Sequence, residues 1–216
     1  MQYSFYFDST RCTGCRTCVM ACKDYKDLDA SRTFRRVIDY EGGEWTEDTK
    51  SGPGLYTQTA FAYHVSLSCN HCNNPACVQV CPTGAMHKDE LGLIWPDGKK
   101  CIGCGYCTMA CPYHAPVIDQ EEQKSSKCDG CRERLAKGKG AICVEACPLR
   151  ALELAPVETL RVEKHGYELD ILPLPNHVLT WPNLFIKVSD AAKRAEEIGG
   201  HIANRRELQL GGSSDD

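Results

Sequence analysis

Sixteen cysteines stand in four groups of four, with none left over. They are Cys12, Cys15, Cys18 and Cys22; Cys69, Cys72, Cys77 and Cys81; Cys101, Cys104, Cys107 and Cys111; and Cys128, Cys131, Cys143 and Cys147. The first and third groups read C-x2-C-x2-C-x3-C. A triplet at that spacing wraps three corners of one cubane in a tight loop, and four thiolates complete a [4Fe–4S] centre. Sixteen thiolates therefore make four such centres. No serine–histidine–acid arrangement, phosphate-binding glycine loop or dinucleotide fingerprint is evident. Four one-electron centres without other reactive chemistry describe a wire, not a catalyst.

Other uses of cysteine fit less well. Disulfides suit short secreted chains that need staples, and this chain has 216 residues. A zinc ribbon needs two separated pairs and no triplet. The fourth cysteine is expected to start a helix leading away, with proline pre-setting its first turn at Cys81-Pro82, Cys111-Pro112 and Cys147-Pro148. The first group departs from this with Cys22-Lys23.

The fourth cysteine of each run normally ligates the other cluster of a pair. Groups two and three are neighbours, so cluster A takes Cys69, Cys72, Cys77 and Cys111, and cluster B takes Cys81, Cys101, Cys104 and Cys107. Groups one and four then pair across the inserted segment. Cluster C takes Cys12, Cys15, Cys18 and Cys147, and cluster D takes Cys22, Cys128, Cys131 and Cys143.

Residues beside the cysteines are the candidates for tuning. His71 lies inside Cys69-Asn70-His71-Cys72, but a full set of thiolates leaves it no iron to ligate. His114 follows Cys111-Pro112-Tyr113 and reads as a loop contact. Lys23, Lys127, Arg132 and Arg150 flank cysteine groups, where cations offset cluster charge or simply face water.

The composition is that of a chain dominated by its cofactors. Aromatic residues make up 8% and the mean hydropathy is −0.39. Cluster ligation is expected to supply much of the folding energy, leaving the iron-free chain largely unfolded. A net charge of −4 gives no reason to expect nucleic acid. No run approaches a membrane span. The start, Met1 to Asp8, lacks the basic and apolar regions of a signal peptide. A periplasmic destination would need export of the folded chain on a partner's signal.

The elements must bring the cysteines together. Tyr3 to Phe7, Phe34 to Tyr40, Thr59 to Leu67, Leu91 to Trp95 and Val117 to Asp119 read as strands, and Glu41 to Glu44 and Ser51 to Gly54 as a turn and a loop. Ser189 caps an expected helix from Asp190 to Ile198, ended by Gly199. Gly211 to Asp216 reads as disordered. The fold class is α+β: two nested ferredoxin-like, two-cluster halves with long loops. The outer half joins 1–58 with 124–155, and the inner half is 59–123. Residues 156–216 form a C-terminal extended or helical strap, punctuated by Pro173, Pro175 and Pro182.

The motifs together resemble the iron–sulfur electron-transfer subunit of dimethyl sulfoxide reductase-type molybdenum enzymes. The resemblance rests on Arg11-Cys12-Thr13-Gly14-Cys15, Ala21-Cys22-Lys23-Asp24-Tyr25-Lys26-Asp27, Cys69-Asn70-His71-Cys72, Pro75-Ala76-Cys77, Cys81-Pro82-Thr83-Gly84-Ala85-Met86, Cys101-Ile102-Gly103-Cys104, Lys127-Cys128-Asp129-Gly130-Cys131 and the run Cys143 to Leu152. It covers roughly residues 1–187. Some members lack the second cysteine of the third group and hold a three-iron cluster; Cys104 is present here, so four [4Fe–4S] clusters are implied. The family implies a large bis(pterin guanine dinucleotide) molybdenum or tungsten subunit and a quinol-reactive membrane subunit. The group-one cluster would face the first and the group-three cluster the second. The implied location is peripheral to the cytoplasmic membrane, on the periplasmic side by co-export, with the cytoplasmic side open. The chain is not expected to be an enzyme alone. A free-standing multi-cluster ferredoxin is the competing reading, as is a relay for a polysulfide, tetrathionate, formate or hydrogenase complex. The long segment after Cys147 favours a subunit.

Overall fold

Tyr3–Asp8, the alternating run before the first cysteine, is an inner strand of a four-stranded sheet. The sheet order is Leu152–Pro156, Tyr3–Asp8, Leu184–Lys187 and Tyr167–Glu168. The structure is a computed structural model that describes residues 1–48 and 50–205. Phe5 pairs with Leu154 on the antiparallel side and with Leu184 on the parallel side. Leu184, Phe185 and Ile186 are all buried, because both faces of the sheet are covered. Helix Val157–Glu163 covers one face through Val157 and Leu160, which pack with Phe185. The other face, with Phe5, Phe7 and Ile186, belongs to the main core.

The second sheet orders His201–Ile202, Arg36–Gly42 and Phe61–Leu67. Helix Asp190–Ile198 lies on it, with Ala192 and Ala195 buried; their small side chains permit a close approach. Ser189 Oγ accepts from Ala192 N–H at 3.3 Å, as the cap requires, and the helix ends at Gly199 with φ 74°. The strap beyond residue 155 is therefore woven into both sheets. Hairpins Met86–Lys88 with Ile94–Pro96 and Val117–Asp119 with Lys124–Ser126 follow the second and third cysteine groups.

Several local expectations shift. Arg36–Gly42 continues through the expected Glu41-Gly42 turn because those residues pair with Ala62 and Phe61. The expected loop Ser51–Gly54 connects an unanticipated hairpin of Trp45–Glu47 and Tyr56–Gln58. The strand expected from Leu91 begins only at Ile94, since Asp89 Oδ1 holds the N–H groups of Leu91 and Leu93 in a turn. The expectation that each fourth cysteine starts a helix is overturned. The helices instead carry the third cysteine: Cys18 in Thr17–Tyr25, Cys77 in Ala76–Gln79, Cys107 in Tyr106–Ala110 and Cys143 in Ile142–Glu145. Pro82, Pro112 and Pro148 stand in turns, where the fixed φ of proline serves equally well. Gly211 to Asp216 lie outside the described residues.

Candidate iron–sulfur centres

The thiols gather around spaces. Cys12, Cys15, Cys18 and Cys147 line one space, walled by Phe7, Val37 and Leu152. Cys81, Cys101, Cys104 and Cys107 line a second, with Met86, Pro96 and Ile118. Cys69, Cys72, Cys77 and Cys111 line a third, with Pro75, Ile94 and Tyr113. Cys22, Cys128, Cys131 and Cys143 are all buried, and the last three act electrostatically on Cys22.

The local backbone explains how three thiols of a loop reach one space. In the first C-x-x-C of each group the residue before the second cysteine has a left-handed conformation: Gly14 at φ 68°, Gly103 at 71°, Gly130 at 68°, and His71 at 45°. Glycine adopts this region without a steric penalty. At Gly103 a Cβ would also stand 2.1 Å from the Gln123 carbonyl oxygen. Only the second group places a side chain there.

Donors already point at the sulfurs. Main-chain N–H groups of Ala151, Met86, Ser125 and His71 donate to Cys147, Cys81, Cys101 and Cys69 at 3.3, 3.4, 3.3 and 3.4 Å. Hydroxyls of Thr17 and Ser66 lie 3.3 Å from the sulfurs of Cys15 and Cys18, and the Cys107 thiol donates to Ser125 Oγ at 3.3 Å. Such hydrogen bonds tune cluster potentials.

Two cations are buried among the thiols. Arg35 is 2% exposed. Its Nη1 donates to Ser66 O at 3.2 Å and Ser66 Oγ at 3.1 Å, and Nη2 to Ser68 Oγ at 2.8 Å. Lys127 is 4% exposed; its Nζ donates to the carbonyls of Ile94 and Cys128, and the nearby Cys69 and Cys128 thiols favour its charge. Among the described residues no carboxylate pairs with either. The charges acting on Arg35 are those of Cys143, Cys18, Cys128 and Cys22. The other flanking cations do different work. Lys23 Nζ holds the carbonyls of Asp29, Ala30 and Arg32, Arg132 stacks on Trp95 at 3.9 Å, and Arg150 holds the carbonyls of Glu145 and Cys147. His114 is exposed, and its carbonyl accepts from Arg36 at 2.6 Å. Arg35 escaped the sequence reading because it is remote from any cysteine along the chain and stands beside Arg36 like a surface charge.

Burial makes several of the thiols hard to ionise. It pushes Cys12 up to about 11 and Cys72 and Cys77 up to about 12, with neighbouring thiols adding to each shift. A ligand that brings positive charge is needed to hold such thiolates together. Among the described residues no three His, Cys, Asp or Glu side chains close on one point, as a single ion requires. Thiols set around a space, with apolar walls and N–H donors, fit an iron–sulfur cubane better than a lone zinc. No helix among the described residues is long and apolar enough to cross a membrane.

Comparison with known proteins agrees with this chemistry. Residues 60–156 match the 4Fe-4S dicluster domain family, and residues 9–26 the 4Fe-4S binding domain family. The "Probable anaerobic dimethyl sulfoxide reductase chain YnfG" of Escherichia coli (strain K12) is 51% identical over 207 residues, covering 96% of this chain and 98% of the relative. A second anaerobic dimethyl sulfoxide reductase subunit of the same organism is 50% identical over the same shares. The "Thiosulfate reductase electron transfer subunit PhsB" of Salmonella typhi is 36% identical over 165 residues, 76% of this chain and 80% of the relative. The α+β chain, an electron-transfer subunit and not a catalyst alone, belongs to the family of iron–sulfur subunits of the anaerobic dimethyl sulfoxide reductases.

Proposed function

We propose that this chain carries electrons through four [4Fe–4S] clusters, ligated as the sets A to D above. It does so between a large molybdenum or tungsten bis-pterin catalytic subunit and a membrane subunit that exchanges electrons with quinol. The observation that carries the reading is that twelve of the sixteen thiols line three spaces in fours, while the remaining four are buried near one another. Each cubane, once bound, takes up and returns one electron. The chain's own residues hold the sulfurs, exclude water with apolar walls, and aim N–H and hydroxyl donors at the thiolates.

The end sets differ from the inner ones. Cys15 and Cys104 are the exposed cysteines. Leu149 beside the first, and Ile102 and Tyr106 beside the second, are exposed apolar residues. We assign cluster C to the catalytic subunit and cluster B to the membrane subunit. The complex is placed at the cytoplasmic membrane, on the periplasmic side by co-export with the catalytic subunit. In this reading it is an anaerobic respiratory reductase of the dimethyl sulfoxide type.

Anaerobic affinity purification of the tagged chain from native membranes tests this. The expected result is a stoichiometric molybdenum or tungsten subunit, a membrane anchor, and about 16 iron atoms per copy of the chain, four for each cubane. Recovery of the chain alone, soluble and loaded with iron and sulfide, would make it a diffusible ferredoxin.

A further inference from the structure

His71 occupies the left-handed position that glycine fills in the first C-x-x-C of the other three groups, at φ 45°. A side chain there is strained, and such strain persists where the surroundings impose it and a function uses it. The side chain is 1% exposed, with its ring stacked near Phe5 at 6.5 Å between centroids. Nδ1 accepts the Ile94 N–H at 2.8 Å. A ring nitrogen that accepts carries no proton, so the neutral imidazole bears its proton on Nε2. That Nε2 is buried and has no hydrogen-bond partner among the described residues. The group beside it is the thiol of Cys128.

The main chain of the same residue faces the other way. Its N–H donates to Cys69 Sγ at 3.4 Å. Its carbonyl accepts from Asn183 Nδ2 at 2.7 Å, and Asn183 N–H donates to the Asn70 carbonyl at 3.0 Å. Asn183, just before the buried strand Leu184–Lys187, thus pins the loop from outside. One residue spans from a thiol of set A to a thiol of set D by a short covalent path.

We propose that His71 is a positioning residue joining the two halves of the relay: its main-chain N–H fixes the Cys69 sulfur of cluster A, and its Nε2–H donates to the Cys128 sulfur of cluster D, raising the reduction potential of cluster D. This rests on the ligand sets of the relay reading. A donor to a cluster thiolate favours the reduced, more negative state. Glycine at this position would relieve the backbone strain and remove the donor together, so His71→Gly is the clean variant. Asparagine tolerates the left-handed region better than most residues and keeps some of the buried volume.

The holo-complex is purified with wild-type chain, His71→Gly and His71→Asn, and each cluster is followed by electron paramagnetic resonance through a redox titration. Wild-type protein lacking four [4Fe–4S] signals overturns the relay reading itself, before any variant is compared. With four clusters in place, the expected result is an about tenfold shift of cluster D toward its oxidised form, about 59 mV for one electron. Cluster A is expected to shift less, and clusters B and C not at all. An unmoved cluster D, or an equal shift in all four, overturns the role of His71. If both variants lose a cluster, wild-type complex labelled with 15N-histidine decides the matter. A nitrogen coupling at reduced cluster D supports the bond, and no coupling overturns it.

Discussion

Arg35 Nη1 donates to Ser66 Oγ at 3.1 Å, and that hydroxyl lies 3.3 Å from Cys18 Sγ. Because Ser66 Oγ accepts from the guanidinium, its own hydrogen is free to point at the sulfur. Positive charge is thus handed on to set C through a hydroxyl, while the guanidinium acts on Cys143 of set D through its field. A buried guanidinium without a carboxylate costs several kcal/mol unless an anion compensates it. The thiolates of C and D are the anions within reach.

Arg35→Gln is expected to lower the potentials of clusters C and D and leave A and B unchanged. A hydrogen bond to a charged group contributes about 1.5–3 kcal/mol, which is about 65–130 mV for one electron. Arg35→Lys should recover part of the loss. Redox titration followed by electron paramagnetic resonance reads each cluster separately.

Cys22→Ser separates the crossed assignment from a simple one. The expected result is loss or conversion of cluster D, with the cluster of Cys12, Cys15 and Cys18 retained through Cys147. Loss of the latter cluster with D intact would sink the crossed sets. Iron content and low-temperature spectra of the purified complex distinguish the two.

Gly103→Ala should remove cluster B selectively. The new methyl would meet the Gln123 carbonyl, and φ 71° penalises any side chain. Iron per chain should fall by about a quarter, four atoms of about 16, while signals of the other clusters persist.

Ser189→Ala removes the cap of helix Asp190–Ile198. The cost is about 1 kcal/mol of stability, read as a lower denaturation midpoint of the holo-chain. Cluster content and potentials should not move, because no thiol set touches this helix end.

The iron–sulfur character of the cysteine groups was legible because ligand spacing within a group is a local property of the chain. So was the Ser189 cap, where a short side chain precedes an amphipathic run and glycine follows it. Arg35 was not legible, since its meaning lies in what folds around it. The hairpin Trp45–Glu47 with Tyr56–Gln58 exposes every residue and so carries no alternation to detect. Leu184–Lys187 was hidden among prolines; its unbroken apolar run reflects a parallel neighbour and burial on both faces. The proline after each fourth cysteine was visible, but its fixed φ suits a turn as well as a helix start.

Tyr3–Asp8 is synthesised long before either of its two neighbours, Leu152–Pro156 and Leu184–Lys187. Both edges of this strand stay bare through most of synthesis. In the proposed ligand sets the thiols of Cys12, Cys15 and Cys18 likewise wait for Cys147, whereas sets A and B are complete once Cys111 has emerged. Leu184–Lys187, the later of the two neighbours, is the latch that closes the second edge of Tyr3–Asp8.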